Sequence, residues 1–252
     1  GAFLVRRVIR VAPPYWIATL AWVTFMLVSG AAWIAITPAH VLQSLLFVPH
    51  WSPTFPDTFW PVLVPGWTLL FEMYFYVLFA LVLLAAPRFR LVTLSVLLLS
   101  LMGLGTLTAS SVAAVQAYTS PLLLEFLAGC WIAEAWRRGL NGRILGIVLC
   151  ALGVLVLLFA APFATPDQTS WSRPLTFGLA GALIVTGAIA VERYLPNWTL
   201  LERLGDASYA IYLFHMFIVV IFGALANRFA VADTAAGAYG FVVLCIAACS
   251  VL

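Results

Sequence analysis

Long apolar runs alternate with short breaks that carry arginine, proline or glycine. Eight of the runs suit membrane spans, at residues 11–36, 67–86, 91–108, 120–136, 144–163, 174–191, 208–226 and 235–252. A spanning helix needs roughly 20 apolar residues, so two of these lie near the short limit. Backbone groups in hydrocarbon must find partners within their own segment, which selects helices. The runs are also too continuous for barrel strands, which would alternate. The expected fold is all-α: a polytopic transmembrane bundle of about eight spans, forming a single membrane domain over residues 1–252.

The arginines orient that bundle. With the N-terminus in the cytoplasm and alternating spans, the inner side receives Arg6, Arg7, Arg10, Arg88, Arg90, Arg137, Arg138, Arg143, Arg193 and Arg203. The outer side receives only Arg173 and Arg228. This asymmetry matches the positive-inside rule. Residues 37–66 make the longest outer loop, with Trp51, Trp60, several prolines and no basic residue. Such a segment suits an ordered lid at the interface. No internal repeat of the inverted-topology kind is visible.

Composition narrows the function classes. Hydrophobic residues make up 65% of the chain and charged residues 8%, against about 25% charged in a soluble domain. With a net charge of +3 and every basic residue an arginine committed to topology, no basic surface remains for nucleic acid. Cys130, Cys150, Cys245 and Cys249 all lie in apolar runs and read as small hydrophobic filler. His40 and His50 have no partners at metal-ligand spacing, and no metal site is expected. No nucleophile elbow, zinc-protease, P-loop or dinucleotide motif occurs. The NWT triplet at Asn197 falls on the inner side, where a glycosylation sequon would go unused. The chain opens on Gly1 and closes inside an apolar run, so both ends read as cut.

Four segments hold chemistry-bearing residues. In residues 3–16, Arg6, Arg7 and Arg10 share a helix face at the inner mouth of the first span. Guanidinium forks there suit the phosphates of a cytosolic donor such as acyl-CoA, although an arginine anchor alone would look the same. In residues 65–81, Glu72 stands in an aromatic-rich span about five residues, roughly 7.5 Å, from its outer end. A carboxylate within a span faces the bundle interior or a wet cavity, either for function or for an interhelical hydrogen bond. Glu125, in the first turns of its helix, has the dipole in its favour. Glu134 is expected to pair with Arg137 and Arg138 at the surface. In residues 200–222, Gly205 and Asp206 should break the chain, with Asp206 or Ser208 capping the next helix. Tyr209, Tyr212 and His215 then share one inward face, with His215 mid-span and suited to proton transfer.

These segments resemble the acyltransferase-3 family of integral membrane acyltransferases. The resemblance rests on Arg6-Arg7-V-I-Arg10-V-A-P-P-Tyr15-Trp16, on Gly66-W-T-L-L-F-Glu72-M-Y-F-Tyr76, on Glu125-F-L-A-Gly129, and on Leu204-G-D-A-S-Tyr209-A-I-Tyr212-L-F-His215. It runs from residue 3 to about 225. It implies transfer of an acyl group, often acetyl, from acyl-CoA to a hydroxyl of an envelope or exported carbohydrate, with no bound cofactor. It also implies a bacterial inner-membrane location.

Carried over residue by residue, Glu72 and His215 take the catalytic positions. Arg6, Arg7 and Arg10 bind the donor, and Tyr76, Glu125, Tyr209 and Tyr212 line the cavity. The family's principal catalytic histidine precedes the arginine segment, so this chain reads as a fragment, inactive without that span. Membrane lipid is a further partner; the oligomeric state is not legible. The competing readings are a transporter or flippase of a lipid-linked sugar or small metabolite, and a non-catalytic subunit of an envelope assembly.

Overall fold

The computed structural model describes residues 2–30, 35–108, 110–163, 167–196 and 199–228. The expected eighth run and Cys245 and Cys249 lie outside them, as does Asn197. Everything regular among the described residues is helical.

Helix α1 (Ala2–Ser29) carries Pro13 and Pro14 in its interior. Proline has no amide hydrogen, so the carbonyls of Ile9 and Arg10 lose their usual helical partners. A short helix α2 (Pro38–Leu45) follows, then α3 (Gly66–Val82), α4 (Arg90–Thr108), α5 (Ala113–Tyr118), α6 (Leu123–Arg137) and α7 (Arg143–Ala160). A π turn (Pro174–Gly178) leads into α8 (Leu179–Val191), and α9 (Thr199–Arg228) ends the described chain.

Five helical segments among the described residues are long and apolar enough to cross a membrane: Ala2–Ser29, Pro87–Thr108, Arg143–Ala160, Pro174–Tyr194 and Glu202–Gly223. The protein is a multi-pass membrane protein. Helix α3 is apolar but only 17 residues long, and α6 has 15.

Two expectations are corrected. The first helix starts at Ala2 and ends at Ser29, so the arginine cluster lies within it and residues 35 and 36 do not. Gly205 and Asp206 do not break the chain: α9 runs through them, and Ser208 Oγ donates to the Gly205 carbonyl at 2.7 Å instead of capping. Local cap propensity yields here to the packing of one continuous helix.

Two of the three core clusters that involve α3 lie on two of its faces. On one face, Tyr15, Ala18, Trp22 and Met26 of α1 pack with Leu69 of α3 and Leu213 of α9. On the other, Phe75, Leu78 and Val82 meet Leu94, Leu98 and Met102 of α4 and Leu123 and Leu127 of α6. Helices α7 and α8 approach backbone to backbone. A Cβ at Gly187 would stand 2.7 Å from the Gly146 carbonyl, and one at Gly153 would stand 2.8 Å from the Ala180 carbonyl. Lipid gives helices no hydrophobic reason to associate, so such close packing of small residues supplies the attraction. The outward side of α7 leaves Ile144, Leu158 and Phe159 exposed, as a lipid-facing surface requires.

The segment between α1 and α3 folds back as a lid against the middle of α1. Thr37 caps α2 and Pro38 opens it. Tyr15 and Trp16 hold α2 from below: the Tyr15 hydroxyl donates to the Ser44 carbonyl at 3.3 Å, and the Trp16 indole to the Leu45 carbonyl at 2.8 Å. Buried His40 sits between the Ala35 and Trp60 carbonyls at 3.0 and 3.2 Å. Further along, Trp51 stacks on Phe59 at 4.8 Å and donates to the Ser111 carbonyl at 3.1 Å. Buried Gln168 accepts from the Phe59 amide at 2.7 Å, and its carbonyl accepts from Ser120 at 2.7 Å. The lid thereby ties α1, α5, α6 and the segment before the π turn together.

Candidate active site

Glu72 lies on the α3 face that meets α1 and α9. It is half-buried, and the Tyr76 hydroxyl one turn further along donates to its carboxylate. The Tyr76 ring in turn carries the Arg7 guanidinium, 5.4 Å from the ring centroid, and Phe3 of α1 closes on the same arginine at 5.6 Å. Cations over aromatic faces are held by the ring quadrupole. Arg10 is within electrostatic reach of the same tyrosine.

Arg6, Arg7 and Arg10 line one open cleft of about 420 Å³ together with Phe3. Among the described residues these three guanidiniums make no ion pair or hydrogen bond with protein groups, so their donors face the cleft. Three other arginines do find protein partners. Arg137 and Arg138 pair with Glu134 at 3.1 and 2.8 Å, and Arg90 donates to the Leu83 and Ala85 carbonyls at the end of α3.

From α9, Tyr209 donates to the Val11 carbonyl at 2.8 Å. Tyr212 donates to the Pro65 carbonyl at 2.5 Å and meets the Thr68 hydroxyl at 2.6 Å. Both tyrosines lie within electrostatic reach of Glu72. The stripe on α9 thus stitches that helix to α1 at the level of the arginines and to α3 near its N-terminal end. His215 is half-buried one turn beyond. Its Nδ1 donates to the Tyr212 carbonyl at 2.6 Å, which leaves Nε2 as the free ring nitrogen. The rings of His215 and Tyr212 are 5.9 Å apart. His215 has no hydrogen bond to Glu72 among the described residues; Tyr212 meets the His215 ring and lies within electrostatic reach of Glu72.

Glu125 is not part of this cluster. It projects from the first turn of α6 toward α8, where a cleft of about 220 Å³ is lined by Glu125, Phe177, Gly178 and Gly181 among others.

The structure thus joins Arg6, Arg7, Arg10, Glu72, Tyr76, Tyr209 and Tyr212 into one connected region, with His215 at its edge and Glu125 apart. The whole chain, residues 1–252, matches the family model described as an acyltransferase domain. The chain belongs to the acyltransferase-3 family. A curated relative, the exopolysaccharide production protein ExoZ of Rhizobium meliloti (strain 1021), is 38% identical over 226 residues, covering 87% of this chain and 68% of the relative. No solved structure matches. The protein is accordingly an acyltransferase with a multi-pass membrane body.

Within this acyltransferase, sequence reasoning missed three residues that the fold places near the site. Tyr15 is completely buried, and its ring fills the space over Gly66, where a Cβ would come within 2.5 Å of it. Thr68 meets Tyr212, as above. Arg173 lies 4.8 Å over the Trp67 ring. Only Arg173 left a signal, as one of two arginines that the positive-inside pattern assigns to the side with few basic residues.

Proposed function

We propose that this acyltransferase moves an acyl group, acetyl in the simplest case, from acyl-CoA to a hydroxyl of an envelope or exported carbohydrate. The observation that carries the reading is the continuity between the arginine-lined cleft and Glu72, through the Arg7–Tyr76–Glu72 contacts. The printed role of the Rhizobium relative, exopolysaccharide production, supports the carbohydrate acceptor.

Arg6, Arg7 and Arg10 bind the donor phosphates through charge-assisted hydrogen bonds, which guanidinium forks form bidentately. The donor enters from the cytoplasmic side of a bacterial inner membrane, where the positive-inside pattern puts these residues in a bundle of about eight spans. The acceptor hydroxyl attacks the thioester carbonyl. The new C–O bond forms as the C–S bond breaks, and the hydroxyl proton ends on the departing thiol. Glu72, poised by Tyr76, orients the reacting hydroxyl, while His215 presents its free Nε2 to the same passage. Tyr209 and Tyr212 line the passage between them.

The test is transfer of labelled acetyl from acetyl-CoA to glycan in membranes containing the full-length protein. Transfer that falls at least tenfold in both Arg10→Ala and Glu72→Gln is expected. Undiminished transfer with both replaced sinks the site assignment. Movement of an intact sugar across the membrane without CoA release sinks the reaction itself.

A further inference from the structure

Arg173 stands just before the π turn Pro174–Gly178, over the outer end of α3. Its guanidinium carbon is 4.8 Å from the Trp67 ring centroid and 5.8 Å from that of Phe177. The side chain makes no ion pair or hydrogen bond with the described residues, and its Nε is wholly buried. A guanidinium offers five donors and no acceptor, and half-burial among aromatic rings without polar partners is costly for it.

Phe177 connects this arginine to the cleft between α6 and α8, because it touches Arg173 and lines the cleft beside Glu125. Gly178 lets the carboxylate lie against the π turn. A Cβ there would stand 3.0 Å from Glu125 Cγ and 3.3 Å from Oε1. Arg173 and Glu125 are within electrostatic reach of each other yet form no ion pair. Arg173 is also within reach of Tyr212, which leads back to Glu72.

The set comprises one donor-only cation, one acceptor-only carboxylate, two aromatic faces and a floor of glycines. An anionic ligand would be repelled by Glu125 and a cationic one by Arg173. A neutral polyol satisfies both: a ring or hydroxyl oxygen accepts from the guanidinium, a hydroxyl donates to the carboxylate, and the C–H face of the sugar lies on Trp67 or Phe177. We propose that Arg173 and Glu125 form the acceptor-recognition subsite, which holds a neutral sugar residue at the outer end of the reaction passage. The inference rests on the carbohydrate-acceptor reading above and specifies where that acceptor is gripped.

The test uses the full-length protein in lipid nanodiscs and two probes, a neutral β-linked gluco-oligosaccharide and acetyl-CoA, with binding of each measured separately. Arg173→Gln and Glu125→Gln should each weaken oligosaccharide binding by about tenfold, the scale of losing a charge-assisted hydrogen bond. Acetyl-CoA binding should stay within about twofold, a split that a general loss of structure would not produce. Arg173→Lys, which keeps the charge but not the fork, should recover part of the loss. If Arg173→Gln does not fold, Arg173→Lys and Glu125→Gln carry the comparison. Oligosaccharide binding that is normal in wild type and unchanged by the substitutions overturns this subsite alone. Wild-type protein that binds acetyl-CoA but no oligosaccharide overturns the acceptor reading, and the subsite with it. A loss confined to acetyl-CoA binding reassigns Arg173 to the donor.

Discussion

The hydroxyl of Tyr76 donates to the carboxylate of Glu72, four residues earlier on α3, while the same ring supports the Arg7 guanidinium. One tyrosine therefore does two separable things. Its oxygen fixes a carboxylate of its own helix, and its face fixes a cation from another helix.

Replacing Tyr76 by phenylalanine removes the first and keeps the second. Transfer should fall by about tenfold in kcat, equivalent to roughly 1.4 kcal/mol of barrier, with donor KM nearly unchanged. Tyr76→Ala removes both and should also raise donor KM. Steady-state kinetics in membranes separate the two outcomes, and identical defects in the two variants would sink the division of labour.

The arginine cleft should read the phosphates of the donor. Arg7→Ala and Arg10→Ala should raise KM for acetyl-CoA by about tenfold or more, the scale of a lost charged hydrogen bond. With acetyl-pantetheine, which lacks the nucleotide phosphates, the same substitutions should change little. Equal sensitivity with both donors would place the arginines elsewhere in the mechanism.

Gly66→Ala should destabilise the bundle. The new methyl would enter the Tyr15 ring, with contacts of 2.5 to 2.8 Å, and that ring is buried between α1, the lid and α3. Overpacking of this kind typically costs about 1–3 kcal/mol. A lowered Tm in detergent is expected, and an unchanged Tm would show that the ring moves freely. Gly187→Ala should behave alike at the α7–α8 contact, where the carbonyl of Gly146 cannot rotate away as a side chain could.

The lid should weaken on acidification through His50. Its Nδ1 donates to the Val48 carbonyl at 2.8 Å, while its Nε2 is buried with no partner among the described residues. Burial holds its pKa below 6.5, and His40, whose ring lies 5.0 Å away, pushes in the same direction; the hydrogen bond to Val48 opposes both. The unfolded state therefore binds the proton more readily than the folded one. Stability from neutral His50 is complete above pH about 6.5 and is lost as pH falls from there toward the folded pKa. Melting between pH 7.5 and 5 should show this loss in wild type and less of it in His50→Gln. Parallel curves would exclude His50 as the cause.

The helical class, the membrane setting and the places of the arginine, Glu72 and α9 segments along the chain are legible in the linear order of residues. Those follow from hydropathy and from three- and four-residue spacing, which act within one helix. Arg6, Arg7 and Arg10 share a cleft, and Tyr76 reaches Glu72, for that reason. Local rules misled at Gly205 and Asp206, where cap propensity was outweighed by Tyr209 and Tyr212 binding α1 and α3. Helix packing, and no local pattern, has Glu125 facing α8 apart from Glu72, Tyr15 and Trp16 holding the lid, and Arg173 lying over Trp67. Each of these joins residues from different helices. Spacing along the chain specifies which face a side chain occupies, while the packing of helices decides what that face meets.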